Sequence, residues 1–150
     1  MTKEDKLLLV KDLSARLPYG VEIEHIKSGM RGVLHELNVY PMYDDDDNIF
    51  DCICNTDFFG DGDSFDISEF KPYLFPLSSM TEEQYKYISY NFGRDGLDYI
   101  KYGTCDFHSS TLNIEDIYEL VDWLNKNHFD YRGLIEKGLA LDATGKNIYN

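Results

Sequence analysis

The residues of this chain that could do chemistry are three cysteines, four histidines and a dense group of aspartates. Cys52 and Cys54 share one face of a predicted strand, and His25 and His35 lie on neighbouring predicted strands. Structural zinc sites usually take their thiolates from C-x₂₋₄-C pairs, which a C-x-C spacing with scattered histidines does not match. A free cysteine on the inner face of a strand commonly belongs to the core. We therefore predict no metal site at these residues.

A nucleophile could come from Cys105, or from Ser109 and Ser110, with His108 as its base. Such sites are recognised by the geometry that holds nucleophile and base together, and no strand–elbow–helix pattern accompanies these residues. The glycines match neither a phosphate-binding loop nor a dinucleotide fingerprint. We predict that the protein is not an enzyme and takes no cofactor.

Calcium is the first candidate ligand for the aspartates, because hard cations prefer several oxygen ligands at defined loop positions. A calcium loop that starts at Asp57 has Phe59 at its third position and Ser68 at its twelfth, where oxygen ligands from acidic side chains belong. A loop that starts at Asp61 has Pro72 at the twelfth. The register fails in both cases. An irregular Ca²⁺ or Mg²⁺ site and a set of solvated loop aspartates stay open as alternatives.

Negative charge is concentrated in residues 44–69, DDDDNIFDCICNTDFFGDGDSFDISE, which contain ten acids and no lysine or arginine. The whole chain has 28 acids and 14 bases, for a formal net charge of −14. Ten of these fourteen excess charges therefore lie in one short segment. The acids are Asp44, Asp45, Asp46, Asp47, Asp51, Asp57, Asp61, Asp63, Asp66 and Glu69.

Composition excludes several classes of protein. The acidic balance disfavours direct binding to nucleic acid, whose phosphates the surface would repel, and favours cations or a basic partner. The apolar run LLLV is too short for a signal peptide, and no stretch approaches the roughly 20 apolar residues of a membrane span. An odd cysteine count fits a reducing compartment. With 150 residues, we expect a single cytoplasmic domain over 1–150 that does not associate with membranes.

The first 70 residues predict one helix and a small antiparallel sheet. Thr2 caps a helix to Leu17, in which leucines recur every four residues. Alternating or β-branched segments predict strands, and the proline and aspartates between the second and third predict a loop over residues 41–48. The predicted strands cover residues 21–26, 33–40, 49–54 and 65–70.

The second half predicts two capped helices and a docked tail. Two prolines in residues 71–79 indicate an extended connector. Thr81 and Gln84 form a capping box for a helix that ends at Gly93, and Asn113 caps a second helix that ends near Asn127. Residues 94–110 are expected to be irregular with a strand at 98–101, and the apolar group 139–141 is expected to dock on the core. The predicted fold class is α+β: an N-terminal helix, a small antiparallel sheet, two further capped helices and a docked C-terminal tail.

Three blocks of sequence are similar to a known family. They are LLLVKDLSARLPYGV (7–21), KPYLFPLSSMTEEQ (71–84) and DWLNKNHFDYRGLIEKGLALDATGKNIY (122–149). They resemble small acidic proteins encoded in prophages and mobile elements of Bacteroidales, an uncharacterised family. The resemblance implies a mobile-element origin and the cytoplasm of a bacterial host, and it supplies no catalytic residues. The acidic segment lies outside these blocks.

Charge mimicry is the function that these observations favour. Residues i and i+2 of a strand share a face about 6.6 Å apart, near the spacing of phosphates along a nucleic-acid strand. A nucleic-acid-binding protein offers lysines and arginines to such a row. We predict a non-enzymatic phage or mobile-element protein that engages a basic host protein, for instance as an anti-CRISPR-like inhibitor of a defence nuclease. A metal-binding or hydrolytic protein that uses the same aspartates is the alternative, and a solvated acidic face without a role is the third possibility. The predicted partner-binding residues are Asp44, Asp45, Asp46, Asp47, Asp57, Asp61, Asp63 and Asp66.

Overall fold

The computed structural model of the chain describes residues 1–44, 47–56, 65–102 and 112–149, and for residues 40–44 and 47–56 it describes the backbone alone. Within these ranges the architecture is α+β, as predicted. The helices are α1 (Lys3–Arg16), α2 (Glu82–Tyr102) and α3 (Ile114–Lys126). The strands are β1 (Glu22–His25), β2 (Arg31–Asp44), β3 (Asp47–Thr56), β4 (Phe65–Asp66), β5 (Phe70–Pro76), β6 (Phe129–Asp130) and β7 (Leu141–Asp142). Among the described residues, no helix has both the length and the apolar character needed to cross a membrane.

The N-terminal helix begins and ends where the sequence predicts. Thr2 Oγ1 accepts a hydrogen bond from the Asp5 amide at 3.1 Å, and the Asp5 carboxylate accepts one from the Thr2 amide at 3.0 Å. These two bonds satisfy amides that the first turn of a helix leaves free. Leu9 and Leu13 are fully buried against the sheet. Gly20 then turns the chain with a φ of 66°.

The strands form one mixed sheet in the order β4-β3-β2-β1-β5-β6, and β7 also pairs with β5. The pairs among β1 to β4 are antiparallel, as predicted. Strand β5, which was not predicted, pairs antiparallel with β1, whereas β6 and β7 run parallel to β5. The short tail strands thus extend the predicted sheet beyond β5, at the end opposite β4.

The extended conformation predicted for residues 71–79 is confirmed as far as Pro76, but Phe70–Pro76 are the strand β5 of the sheet and not a connector. Proline is tolerated in a strand where its missing N–H is not needed by a neighbour. Pro72 pairs with Ile23 of β1, and the parallel pairing on the other side begins only at Tyr73. Pro76 is the last residue of the strand. Each proline therefore stands where the ladder on one side is absent or ends.

The predicted loop over residues 41–48 is also wrong, because β2 continues through Pro41 to Asp44 and β3 begins at Asp47. Pro41 pairs with Phe50 in this two-stranded region. A strand with a partner on only one side tolerates a proline whose nitrogen faces away from that partner. The hairpin is consequently much longer than predicted.

Helix α2 starts at the predicted capping box. Thr81 Oγ1 accepts from the Gln84 amide at 3.3 Å, and Gln84 Oε1 accepts from the Thr81 amide at 2.8 Å. Gly93 breaks the helix with φ 63° and ψ −163°. The chain then resumes a helical path to Tyr102, so the strand predicted at 98–101 is wrong. Leu97 and Ile100, three residues apart, pack into the cluster between α2 and α3, and this favours a helix.

Helix α3 has the predicted cap, in which Asn113 and Asp116 exchange two hydrogen bonds of 2.9 Å. Leu120 and Leu124 are fully buried, whereas Ile114 is 66% exposed. The apolar face therefore begins one turn after the helix does.

Two of the three hydrophobic clusters among the described residues join helices to the sheet. One joins α1, the sheet and the tail residues Leu134, Leu139 and Ala140, which confirms the predicted docking of the tail. The other joins α2 and α3 through Ile88, Leu120, Phe129 and their neighbours. Strand β6 pairs with β5 beside the second cluster. This pairing fixes the position of the residues that follow α3, including His128 and Phe129.

Candidate functional site

The β2–β3 hairpin contains a segment that pairs with no other described strand. Strand β1 reaches β2 only at residues 31–33, and β4 reaches β3 only at residues 53–54. Within the part of the chain that the structure describes, residues 39–44 and 47–52 pair only with each other, from Val39 opposite Cys52 to Asp44 opposite Asp47. We call these two segments the hairpin arm. Six residue pairs at about 3.4 Å each give it a length of about 20 Å.

The hairpin arm carries acids and no lysine or arginine. Asp44 and Asp47 are the last pair of its ladder, and Asp51 is paired with Tyr40. Positions 44, 47 and 51 belong to the same alternate set of the register, since partners directly opposite share a face and residues two apart along a strand do too. The ladder thus gives three acids fixed register positions within one ribbon.

Among the predicted partner-binding residues, Asp44 and Asp47 lie on the hairpin arm and Asp66 lies on β4. The other five fall outside the described residues. They are Asp45, Asp46, Asp57, Asp61 and Asp63.

Asp66 has its charge balanced within the chain. Its Oδ2 accepts from Lys6 Nζ at 2.8 Å, and its Oδ1 accepts from the Ser68 amide at 2.8 Å. Partial burial raises the pKa of Asp66, but the hydrogen bonds from Lys6 and Ser68 together lower it on balance. Glu69 likewise forms an ion pair with Lys27. These two acids at the end of the acidic segment therefore anchor β4 and the turn after it, so the prediction of a partner-binding surface depends on the other seven residues.

Metal ligation has no described candidate. Across residues 1–39, 65–102 and 112–149, no group of three or more histidine, cysteine, aspartate or glutamate side chains could hold an ion. His25 lies between the rings of Phe65 and Phe70, at centroid distances of 5.4 and 5.3 Å, and its Nδ1 is 2.8 Å from Ser28 Oγ. Cys105 and His108, the weighed nucleophile and base, lie outside the described residues.

A cavity that the sequence analysis missed lies between β5, the start of α2 and the end of α3. Its volume is about 430 Å³. Its residues come from four separate parts of the chain, so no local motif marks it. They are Phe75, Ser79, Thr81, Gln84, Lys126, Asn127, His128, Phe129 and Tyr149.

His128 is the unusual residue of this cavity. Its φ of 56° is the only positive value at a non-glycine position in the described backbone. The side chain is 6% exposed, and its Nδ1 has no hydrogen-bond partner. Burial, and then the charge of Arg16, lowers the pKa of His128 from 6.5 to about 4. The imidazole is therefore neutral at pH 7.

A buried ion pair between α1 residues contacts β6. Arg16 donates from Nε to Asp12 Oδ2 at 2.7 Å and from Nη2 to Asp12 Oδ1 at 3.0 Å, and both side chains are fully buried. Arg16 Nη2 also donates to the Phe129 carbonyl at 2.8 Å. Arg132 Nη1 approaches Asp12 at 3.8 Å. This cluster ties α1 to the segment that carries His128, and its contacts indicate a structural role.

Comparisons of the chain with protein-family models, with curated proteins and with solved structures found no match. Two features are thus left as candidate sites on the geometry alone. One is the acidic hairpin arm with the aspartates that follow it, and the other is the cavity at His128.

Proposed function

We propose that this chain is a non-enzymatic binding protein that engages a basic surface of another protein through its hairpin arm and the aspartates after it. The observation that carries this proposal is the concentration of ten of fourteen excess negative charges in residues 44–69. The two-stranded hairpin arm supports the proposal, because the paired register of its strands holds the acids at fixed spacings. The residues of the contact are Asp44, Asp45, Asp46, Asp47, Asp57, Asp61 and Asp63.

The chemistry of the partner follows from this spacing. Asp47 and Asp51 are four residues apart on β3, which is two steps of the roughly 6.6 Å between alternate strand residues, so they match every second phosphate of a nucleic-acid strand. Proteins that bind nucleic acid present lysines and arginines to such rows. The partner is therefore a nucleic-acid-binding protein whose groove the hairpin arm occupies. The resemblance to mobile-element proteins favours a host defence nuclease, in the manner of an anti-CRISPR protein acting in the host cytoplasm.

Three forms of the protein test this proposal. The arm variant replaces Asp44, Asp45, Asp46 and Asp47 with asparagine. The control variant replaces Glu83, Glu115, Glu119 and Glu136 with glutamine, because these four glutamates are exposed and lie on α2, α3 and the tail. Both variants lose four charges, so net charge alone cannot distinguish them.

The parent and both variants are used as bait in a bacterial lysate, and the captured proteins are identified. We expect the parent and the control variant to capture the same nucleic-acid-binding protein and the arm variant to lose it. Duplex DNA or structured RNA added to the lysate is expected to release the captured protein, because both compete for one groove. Equal capture by the arm variant, or capture that nucleic acid leaves unchanged, contradicts the proposal.

A further inference from the structure

The cavity at His128 has the size of a site for a small molecule. Its volume of about 430 Å³ lies within the roughly 300–1,000 Å³ usual for ligand pockets. Such pockets combine apolar walls with a few converging polar groups. This one has the rings of Phe75, Phe129 and Tyr149 together with the polar side chains of Ser79 and Gln84. The composition fits a ligand that has both an apolar and a polar part.

Its charge is opposite to that of the chain. None of the nine lining residues is acidic, and Lys126 is the only charged one, since His128 is neutral at pH 7. The cavity also adjoins Thr81, the cap of α2, where the helix dipole favours negative charge. Of the two acids in that first turn, Glu82 is paired with Lys86 at 2.7 Å and Glu83 is exposed. An anion is therefore better accommodated here than at most of the acidic surface.

The apolar side of the cavity is built from rings. Phe75 lies 6.2 Å from Phe129 and 5.8 Å from Tyr149, measured between ring centroids. His128 stacks on Tyr149 at 3.8 Å with an angle of 8° between the planes. Aromatic walls of this kind favour planar ligands, which pack by offset stacking or edge-to-face contact.

His128 supplies the independent sign of a ligand. A buried nitrogen without a partner is uncommon in a folded protein, and its presence calls for a specific reason. A non-glycine residue in the left-handed region is also strained, and such strain clusters at ligand sites. Both occur at this one residue, whose backbone is fixed by hydrogen bonds from its amide to the Asn125 carbonyl and from the Phe75 amide to its carbonyl.

We propose that this cavity binds a small planar organic acid, with its carboxylate at Lys126 and its ring against the walls formed by Phe75, Phe129 and Tyr149. His128 lies in the wall of this cavity, so its ring resonances report whether the cavity is occupied. This site shares no residue with the hairpin arm, so it is independent of the binding function proposed above.

Three small molecules test separately whether the ring and the negative charge of the proposed ligand contribute to binding. Benzoate has the ring and the charge, acetate has only the charge, and benzamide has a ring of similar shape without the charge. Each is titrated into the ¹⁵N-labelled parent protein at pH 7 and followed by NMR. We expect saturable shifts for benzoate, with a dissociation constant in the millimolar range, at the amides of residues 79–84 and 126–129. Acetate and benzamide are expected to bind roughly tenfold more weakly or worse, because each lacks one of the two contacts.

Two lysine variants provide the matched comparison. Lys126→Gln removes the one cation of the cavity, and Lys137→Gln removes an exposed lysine of the tail that does not line it. We expect Lys126→Gln to weaken benzoate binding roughly tenfold and Lys137→Gln to leave it unchanged. Both substitutions are at exposed positions, so the amide spectrum should report an intact fold. The ¹⁵N resonance of His128 Nδ1 is expected to move in step with the amide shifts.

Several outcomes would overturn the proposal. They are the absence of saturable shifts with benzoate, benzamide binding as tightly as benzoate, equal binding by the Lys126→Gln variant, and an Nδ1 resonance that benzoate does not move. None of these measurements involves the acidic segment, so the result stands apart from the test of partner binding.

Discussion

The imidazole of His128 lies flat against the ring of Tyr149, with their centroids 3.8 Å apart and an angle of 8° between the planes. The Tyr149 hydroxyl donates to the Tyr73 carbonyl at 2.5 Å and accepts from the Glu22 amide at 3.3 Å. Burial raises the pKa of Tyr149. These contacts join the end of α3 and the last residues of the tail to strands β1 and β5. The stack also withdraws His128 from water, which keeps it neutral.

Stability should depend on pH through His128. Its pKa is about 4 in the folded chain and 6.5 when unperturbed, so the unfolded chain binds more protons between these values. The contribution of the neutral imidazole to the free energy of unfolding is therefore complete above pH 6.5 and is lost as the pH falls toward 4. The loss is at most roughly 3 kcal/mol.

The measurement is the free energy of unfolding in urea for the parent and for His128→Asn between pH 4 and 8. Asparagine tolerates the left-handed backbone of this position, so the substitution removes the titrating group without new strain. The parent should lose stability relative to the variant as the pH falls below 6.5. A difference between the two proteins that stays constant over this range would contradict a depressed pKa at His128.

The contribution of the α2 cap to the free energy of unfolding should be measurable with a single substitution. Thr81→Ala removes the acceptor of the Gln84 amide and should lower the free energy of unfolding by about 1 kcal/mol. Ser89→Ala, at an exposed position within the same helix, is the control and should be neutral or slightly stabilising, because alanine favours helices. An unchanged midpoint for Thr81→Ala in thermal unfolding would count against the capping box.

The buried pair of Asp12 and Arg16 should be costly to break and much less costly to replace. Arg16→Met leaves the buried Asp12 carboxylate with only Arg132, whose Nη1 is 3.8 Å away and forms no hydrogen bond, and this should cost about 3–5 kcal/mol. The double substitution Asp12→Leu with Arg16→Met removes both charges and should cost clearly less. Urea unfolding of the two variants checks this order. A double variant less stable than Arg16→Met would indicate that the pair has a further role.

Stability should not depend on divalent metal. The acidic segment matches no calcium-loop register, and the alternative of a metal-binding or hydrolytic protein requires a specific site. Thermal unfolding is compared in excess chelator, in millimolar Ca²⁺ or Mg²⁺, and in sodium chloride of matched ionic strength. We expect the divalent ions to match sodium chloride. A saturable gain of roughly 2.7 kcal/mol at a hundredfold excess over the dissociation constant would favour the metal-binding alternative.

Local signals in the sequence predicted where the three helices begin, but not where α2 ends. The caps at Thr2, Thr81 and Asn113 each depend on two residues three positions apart, and the structure has all three. The break at Gly93 was predicted because glycine adopts a positive φ without cost, but the return to a helix depends on packing against α3. The helix propensities of the residues after Gly93 do not reveal their packing against α3.

Features that depend on distant partners were not predictable in the same way. Pro41 and Pro72 indicated a loop and a connector, and they are strand residues because their neighbours in the sheet leave one side free. The cavity joins Phe75 of β5 to His128 and Tyr149, more than fifty residues later in the chain. The charge of the acidic segment was evident from composition, whereas the hairpin arm that carries part of it required the register of β2 and β3.

The association rate with the captured partner tests the central claim most directly. The rate constant is measured for the parent, the arm variant and the control variant at low and at high salt. Because clustered charge steers association and salt screens it, the parent and the control variant should associate roughly tenfold faster than the arm variant at low salt. This difference should shrink at high salt, and nucleic acid should compete with the parent. An arm variant that associates as fast as the parent at low salt, or a partner that binds this chain and nucleic acid together, would contradict the account.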